Sequence, residues 1–373
     1  MSFDSGTVGF RLFYLQRMYT PAVIDDFARR TAPPIDTLDR DPISGWVSGR
    51  HLFDREITDA KCVAGPYLHV QLMRAEKKIP ASLLRAYVKQ EEDIERRARG
   101  TETLSRKAKA EVKARVTALL QPKMPPTLNS IPVVMDFRND LLVAGALSDR
   151  QIDALSPVFK ETVGTFPILL TPETAALRRK QINANDMLPV MFSPDERLDP
   201  PAEGTLGMDF LTWLWFAWET EGGIHHLPDG REFGIMLEGP ITFFREGQGA
   251  HEVALRNGVP LNSREAGTAL YCGKKVRRVK VVMAQGDAVF TAMMDADFAV
   301  RGLKLPKGEQ RDEAGKLEER MMMIEFFWSA WLTLFDRFLD LRIDRGLWKK
   351  NLQKIRSWIS AFGQPETGRG ERI

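Results

Sequence analysis

The histidine pair His225-His226, with Asp229 and Glu232 close behind, is the first place in this sequence where metal chemistry could sit. Adjacent residues project in different directions, and a tetrahedral site needs further ligands at matching spacing, which the chain does not supply. A polar loop is the better reading. Asp295 and Asp297 follow a strand-like segment and would suit a divalent ion of the kind that nucleases use. Two carboxylates without further partners read instead as a turn. No histidine stands near a serine or cysteine in a nucleophile motif. There is no G-x-x-x-x-G-K-[ST], and Gly247 with Gly249 does not open a strand-to-helix turn of the dinucleotide type. Cys62 and Cys272 are too few for a disulfide framework and lack metal-ligand spacing. The residues predict no enzyme, no cofactor and no metal.

Charge placement says more. The 373 residues hold 53 lysines and arginines against 50 acids, a net of +3, so any basic surface has to be a local patch. From Arg74 to Arg115 thirteen basic residues face seven acidic ones, an excess of six that leaves the rest of the chain at −3. Arg96, Arg97, Arg106, Lys107 and Lys109 are the candidate phosphate contacts of this stretch. A duplex carries about one charge per 1.7 Å of axis, so such a patch gains affinity by releasing counterions without reading bases. The same residues also fit a solvated helix face with i,i+4 pairs such as Glu92–Arg96 and Glu95–Arg99. Charge alone leaves the two readings level. A second basic element, Lys274 to Val282, reads as a strand in which a period of two sets Lys274, Arg278 and Lys280 on one face, with Lys275 beside them. Such a row faces either phosphates or, on an edge strand, solvent.

The elements that must position these residues follow from patterning. With 43% apolar and 28% charged residues the chain buries a real core, and its length suggests two or three sub-domains or one elongated body. Val8 to Leu15 suits a strand, Thr20-Pro21 predicts a helix to Arg30, and residues 31–65 read as a long irregular connection. Leu68 to Arg74 alternates as a strand. Residues 79–120 predict two helices broken at Gly100-Thr101 and ended by Pro122, Pro125 and Pro126. Ile131–Phe137 and Leu141–Leu147 flank a hairpin turn, and Ser148 with Gln151 forms a capping box for a helix to Val163, closed by Gly164. Phe166 to Leu170 supplies the next strand. This β-β-α-β order favours an antiparallel α+β layer.

Residues 190–204 look like a linker or flap, and further strands are predicted at 233–236, 241–244, 276–283 and 288–293. Trp213, Trp215 and Trp218 could stack bases, but their apolar neighbours Leu211, Leu214 and Phe216 favour a buried helix. Met321-Met322-Met323 reads as core filling. Leu317, Met321, Ile324, Trp328, Trp331, Phe335 and Phe338, spaced 4-3-4-3-4-3, form a heptad seam that packs on the core or on a partner helix, the core role being preferred. Glu325, Asp336, Arg337, Asp340 and Arg342 interrupt the longest apolar stretch, and no signal-peptide pattern opens the chain, so the expected location is cytoplasmic, with no membrane partner.

Several segments, taken in order, resemble the RdgC family of recombination-associated proteins. Gly45-Trp46-Val47 is similar to its early G-W-V, and Glu76-Lys77-Lys78-Ile79-Pro80, through the charged helices to Leu119-Leu120-Gln121-Pro122, to its helix block. Met135-Asp136-Phe137 through Leu142-Val143 to Phe166-Pro167 resembles its hairpin–helix–strand unit. Leu261-Asn262-Ser263-Arg264-Glu265 and Gly273-Lys274-Lys275-Val276 resemble the segment before its basic strand. The resemblance spans about residues 10–305; the tryptophan-rich segment and the helical extension past about residue 310 depart from it. It implies a non-enzymatic binder of double-stranded DNA, a homodimer closed into a ring around the duplex. It also implies antagonism of the RecA recombinase and association with the nucleoid. By the same resemblance Lys274 falls on a DNA-contacting lysine, a second such lysine falls on Gly258 with Arg256 as its substitute, and an apical aromatic falls near Met124.

The fold expected is therefore α+β, an elongated body of several sub-domains with antiparallel sheets. The units are an α+β region over 1–75, a charged helical arm over 76–126 whose interface tip is Met124 and Pro125, and a β-β-α-β unit over 127–190. A second α+β region with the basic strand over 191–305 and a helical extension over 306–373 complete it. The rival readings are a metal-dependent nuclease acting at recombination intermediates and a protein-interaction scaffold built on the heptad seam.

Overall fold

The computed structural model describes residues 3–39, 41–199, 205–246 and 251–362. Gly247 and Gly249, and part of the expected flap at 190–204, lie outside the described residues. The chain opens with β1 (Val8–Tyr14), buried along its whole length. After Pro21 comes a single 3-10 turn and then α1 (Ile24–Ala28), shorter than the expected helix to Arg30, and the Thr20 side chain makes no capping bond. The stretch expected to be irregular contains β2 (Ile43–Ser48), α2 (Asp59–Cys62) and β3 (Val63–Ala64). The missed strand β2 has a reason. A Cβ at Gly45 would stand 2.5 Å from the Ala32 Cα, so only glycine lets these two backbones meet here.

β4 (Tyr67–Lys77) leads into α3 (Ala81–Arg99) and α4 (Arg106–Leu120), which return the chain to β5 (Pro126–Asp136) and β6 (Leu141–Ala144). The Ser148–Gln151 capping box forms as expected, starting α5 (Asp149–Val163), and Gly164 closes that helix at φ 88°. β7 (Ile168–Leu169), α6 (Pro172–Lys180) and α7 (Leu206–Glu221) follow. Then come β8 (Ile224–His226), β9 (Glu232–Phe244), β10 (Glu252–Leu255), α8 (Arg264–Tyr271), β11 (Lys275–Gln285), β12 (Ala288–Asp295) and β13 (Val300–Lys304). The 31-residue α9 (Glu313–Ile343) and α10 (Arg345–Ala361) close the described fold.

The fold is mixed α+β: one large antiparallel sheet on which most helices pack, with α3 and α4 forming a small core of their own. The strand order of the sheet is β10-β9-β11-β12-β13-β1-β6-β5-β4-β2. β1 holds the two halves together. Its first residues pair with β13 (Val8 opposite Leu303) and its last with β6 (Arg11 opposite Ala144 to Tyr14 opposite Leu141).

The two sides of the sheet are covered differently. On one side lies the main core, where Val276, Val279, Val281, Phe290, Met294 and Leu303 meet α7 and α9. The seven residues of the heptad seam are buried there, and Phe210 of α7 sits edge-on to Trp331 and Phe335 at 5.1 and 5.2 Å. Trp213 and Trp215 are buried in the same core. The seam therefore fills the interior and leaves no stripe for a partner helix. On the opposite side α1 and α5 cover only β1 and the strands from β6 to β2, through Phe13, Phe27, Trp46, Leu72, Val133 and Phe159. The same side of β9, β11, β12 and β13 contributes to no core cluster.

Candidate nucleic-acid interface

That bare side takes its side chains from alternate strand positions. Met236, Glu238 and Thr242 of β9 lie beside Arg278, Lys280 and Val282 of β11, then Thr291, Met293 and Asp295 of β12, then Arg301 and Lys304 of β13. Cross-strand pairing sets them in rows. Arg278 stands opposite Asp295, Lys280 lies between Glu238 and Met293, and Thr291 stands opposite Lys304.

Carboxylates hold most of these cations. Asp295 accepts from Arg278 through both its oxygens, the Nη2–Oδ2 distance being 3.0 Å, and from Arg301 Nε at 2.7 Å. The hydrogen bond from Arg278 to Asp295 raises the Arg278 pKa above the ordinary guanidinium value. Lys280 Nζ lies 2.6 Å from Glu238 Oε2, and Arg11 pairs with Asp297 at the border of the bare face. Lys304 is exposed and has no ion pair among the described residues. Five cations (Arg11, Arg278, Lys280, Arg301, Lys304) meet three acids (Glu238, Asp295, Asp297), so the face keeps an excess of two positive charges.

A bulge decides where the basic strand points. The register of β11 against β9 shifts between Val276 and Arg278, which resets the alternation, so the period of two that placed Lys274 with Arg278 and Lys280 does not run through this point. Val276 is buried as a result, and Lys275 before it is buried too. Lys275 turns into the core, where its ammonium meets Asp209 and lies 2.9 Å from Thr205 Oγ1. Burial pushes the Asp209 pKa up, against the lowering effect of Lys275. In this position Lys275 presents nothing to a ligand in solvent. Lys274, just ahead of β11, lies with Nζ 3.5 Å from the His251 carbonyl, beside β10. Arg277 occupies the bulge, 2.9 Å from Glu252 with its guanidinium over the Phe244 ring. Arg256 is exposed just past β10, and the Asn257-Gly258 turn after it is left-handed at both residues, a backbone that suits glycine at 258.

The charged arm is a helical hairpin with its own small core of Val112, Val116 and Leu120 against Ile79, Leu84 and Val88. A groove of about 650 Å³ between α3 and α4 is lined by Arg85, Lys89, Arg96, Lys109 and Lys113 among others. Arg96 pairs with Asp93, Arg99 with Glu95 at 2.7 Å, and Arg115 with Glu91 and Glu95 at 3.5 and 3.2 Å. Of the two pairs expected from the sequence, Glu95–Arg99 forms, while Arg96 takes Asp93 instead of Glu92. Arg97, Arg106, Lys107 and Lys109 have no ion pair among the described residues, and Arg106, Lys107 and Lys109 are exposed. Met124 and Pro125 stand where the helix pair joins the strands, next to the pairing of Lys77 with Pro126. The reversal between the helices, at Gly100 to Ser105, is at the other end of the pair. β4, which carries the arm, is six strand steps from β11, about 29 Å at 4.8 Å per step. The arm and the bare face are thus separate basic elements in one subunit.

The residues considered for metal chemistry are otherwise engaged. Arg231 lies 2.7 Å from Asp229, and burial together with Arg337 holds the His225 pKa below the ordinary imidazole value. Among the described residues no group of three or more His, Cys, Asp or Glu could hold a metal ion, and no helix is long and apolar enough to cross a membrane. Lys304 and Arg301 escape sequence reasoning. β13 is only five residues long and holds a left-handed Gly302, so no alternation marks it as a strand.

No curated protein matches the chain. Residues 21–181, from α1 through the arm to the end of α6, match the model of the RdgC family, described as "Putative exonuclease, RdgC". That match, over less than half of the chain, supports membership of the RdgC family.

Proposed function

We propose that the chain binds double-stranded DNA without sequence preference, as a homodimer whose two copies enclose the duplex, and that it restrains RecA filaments at the nucleoid. One observation carries the reading: a bare sheet face on which Asp295 holds two arginines and Glu238 a lysine in cross-strand rows. Arg278 and Arg301 each spend part of their donor fork on Asp295 and keep further N–H groups for a ligand. Guanidinium groups held this way lose little side-chain freedom when a phosphate arrives. The rows contain no side-chain set arranged to read base edges, so contacts to phosphate position the protein and carry no sequence code. The arm supplies Arg97, Arg106, Lys107 and Lys109, with Arg96 partly committed to Asp93, and Lys274 and Arg256 supply cations beside β10. A second copy would bring another bare face and another arm.

The test is equilibrium binding to several unrelated duplexes over a range of salt. Arg278→Ala, Lys280→Ala and Lys304→Ala in one chain should weaken binding equally for every sequence. The dependence of log affinity on log salt should flatten by about 0.9 for each phosphate that the variant no longer neutralises. A triple variant whose salt slope equals that of the unmodified protein would remove the sheet face from the interface.

A further inference from the structure

α10 carries Arg345, Lys349, Lys350, Lys354 and Arg356 and not one acidic residue. Its buried stripe, Trp348, Asn351, Ile355, Trp358 and Ile359, packs on α7, α8 and α9. Trp358 donates to Glu219 at 2.8 Å and lies edge-on to Trp215. Arg356 donates to the Met191 carbonyl at 3.1 Å and belongs to this anchoring. The other four cations are exposed and, among the described residues, form no ion pair. Asp344 ahead of them spends its carboxylate on the helix N-terminus, accepting from the Gly346 and Leu347 amides. The cations on the bare sheet face are mostly neutralised by neighbours; among the described residues, these are not.

Their spacing is regular. At about 100° per residue, Arg345 and Lys349 form one row and Lys350 and Lys354 another, about 140° apart around the helix. Between the rows runs a ridge of Gly346, Gln353, Ser357 and Ser360, small or uncharged throughout. From Arg345 to Lys354 the helix rises about 13 Å, a length over which a duplex presents about eight phosphate charges. Two rows of cations flanking an uncharged ridge fit the two phosphate walls of one groove. An acidic peptide would want an apolar pocket for its anchors, and a bilayer would want the apolar stripe that α10 has already buried.

Because α10 packs on helices that themselves cover the core side of the sheet, its outer face lies on the opposite side of the protein from the bare sheet face. We propose that the outer face of α10 is a second duplex-binding surface, through which one molecule joins two DNA segments. The choice of DNA as the polyanion rests on the reading given above; the site itself is separate.

The experiment uses the full chain, a duplex fixed to beads and a second, fluorescent duplex in solution, with single-duplex affinity measured in parallel. Changing Arg345→Gln, Lys349→Gln, Lys350→Gln and Lys354→Gln together should cut retention of the fluorescent duplex about tenfold and leave single-duplex affinity within about threefold. Lys349→Arg, Lys350→Arg and Lys354→Arg together should retain the fluorescent duplex as the unmodified protein does. Matching circular dichroism and melting curves establish that the glutamine variant is folded. A glutamine variant that joins duplexes as well as the unmodified protein overturns the proposal and leaves the sheet-face reading standing. So does an unmodified protein that binds one duplex but retains no second. Loss of binding to phosphatidylserine vesicles, with duplex joining unchanged, would assign the surface to membranes and also overturn it. An unmodified protein that binds no duplex at low salt overturns both readings. A triple sheet-face variant at full single-duplex affinity overturns the sheet-face reading alone.

Discussion

Lys275 and Asp209 meet in the core beneath β11, each with a side chain no more than 6% exposed. Thr205 completes the contact, bonding both partners. Removing one member of a buried pair leaves the other charged and unsolvated, so Lys275→Met should cost about 3–5 kcal/mol, whereas Lys275→Met with Asp209→Leu should recover most of it. Urea denaturation of both variants checks this. Burial raises the Asp209 pKa, and deleting Lys275 removes the largest influence that lowers it, leaving Arg342 and Thr205. The carboxyl then keeps its proton in the folded state at pH values where the unfolded chain has lost it. The Lys275→Met variant should therefore lose stability as pH rises from about 4 towards 7, relative to the unmodified protein.

Among the described residues, Asp295 is the one acid shared by two arginines of the bare face. Asp295→Asn keeps its size and removes a negative charge from the path of an approaching phosphate. Duplex affinity near 100 mM salt should rise about threefold, measured by fluorescence anisotropy. A fall in affinity would mean that the carboxylate's part in placing the two forks matters more.

Gly45 lets β2 pass against Ala32, with a hypothetical Cβ 2.5 Å from the Ala32 Cα and 2.6 Å from its nitrogen. Both are backbone atoms that cannot rotate away. Gly45→Ala should destabilise the protein by about 1–3 kcal/mol, visible as a lowered melting temperature.

The exonuclease description of the family gives a direct assay. Asp295 and Asp297, at the end of β12 and just past it, already hold Arg278, Arg301 and Arg11. Labelled duplex incubated with the protein and magnesium or manganese should stay intact over hours, as read on a denaturing gel. Shortened products that vanish in Asp295→Asn would establish a metal-dependent activity.

Local signals are legible in the sequence, and long-range ones are not. Ser148, Gln151 and Gly164 mark both ends of α5 because capping depends only on neighbours within one turn. The heptad spacing from Leu317 to Phe338 reads correctly as core, since seven apolar residues on one stripe need cover. β2 escapes because Ser44, Gly45 and Ser48 hide its alternation, and its pairing with β4 closes across more than twenty residues. The basic strand is visible but turns differently at one point. Nothing in Lys274-Lys275-Val276-Arg277 announces a bulge, and the shift of one residue turns Val276 inward and Arg277 outward. Met124 and Pro125 read as an apex because the prolines beside them stop a helix. The pairing of β4 with β5 shows that the helix stops at the strands.

β1 fastens together parts of the protein made at very different times. Its partner β6 is available once residue 144 has left the ribosome, but β13 follows only at residue 304. At 5–20 residues per second the wait is about 10–30 s. Throughout it, the hydrogen-bonding edge at Val8 to Phe10 lies open, inviting neighbouring nascent chains on the same messenger. A chaperone that shelters this edge, or a codon tempo that hastens the later strands, would raise the yield of correctly closed molecules.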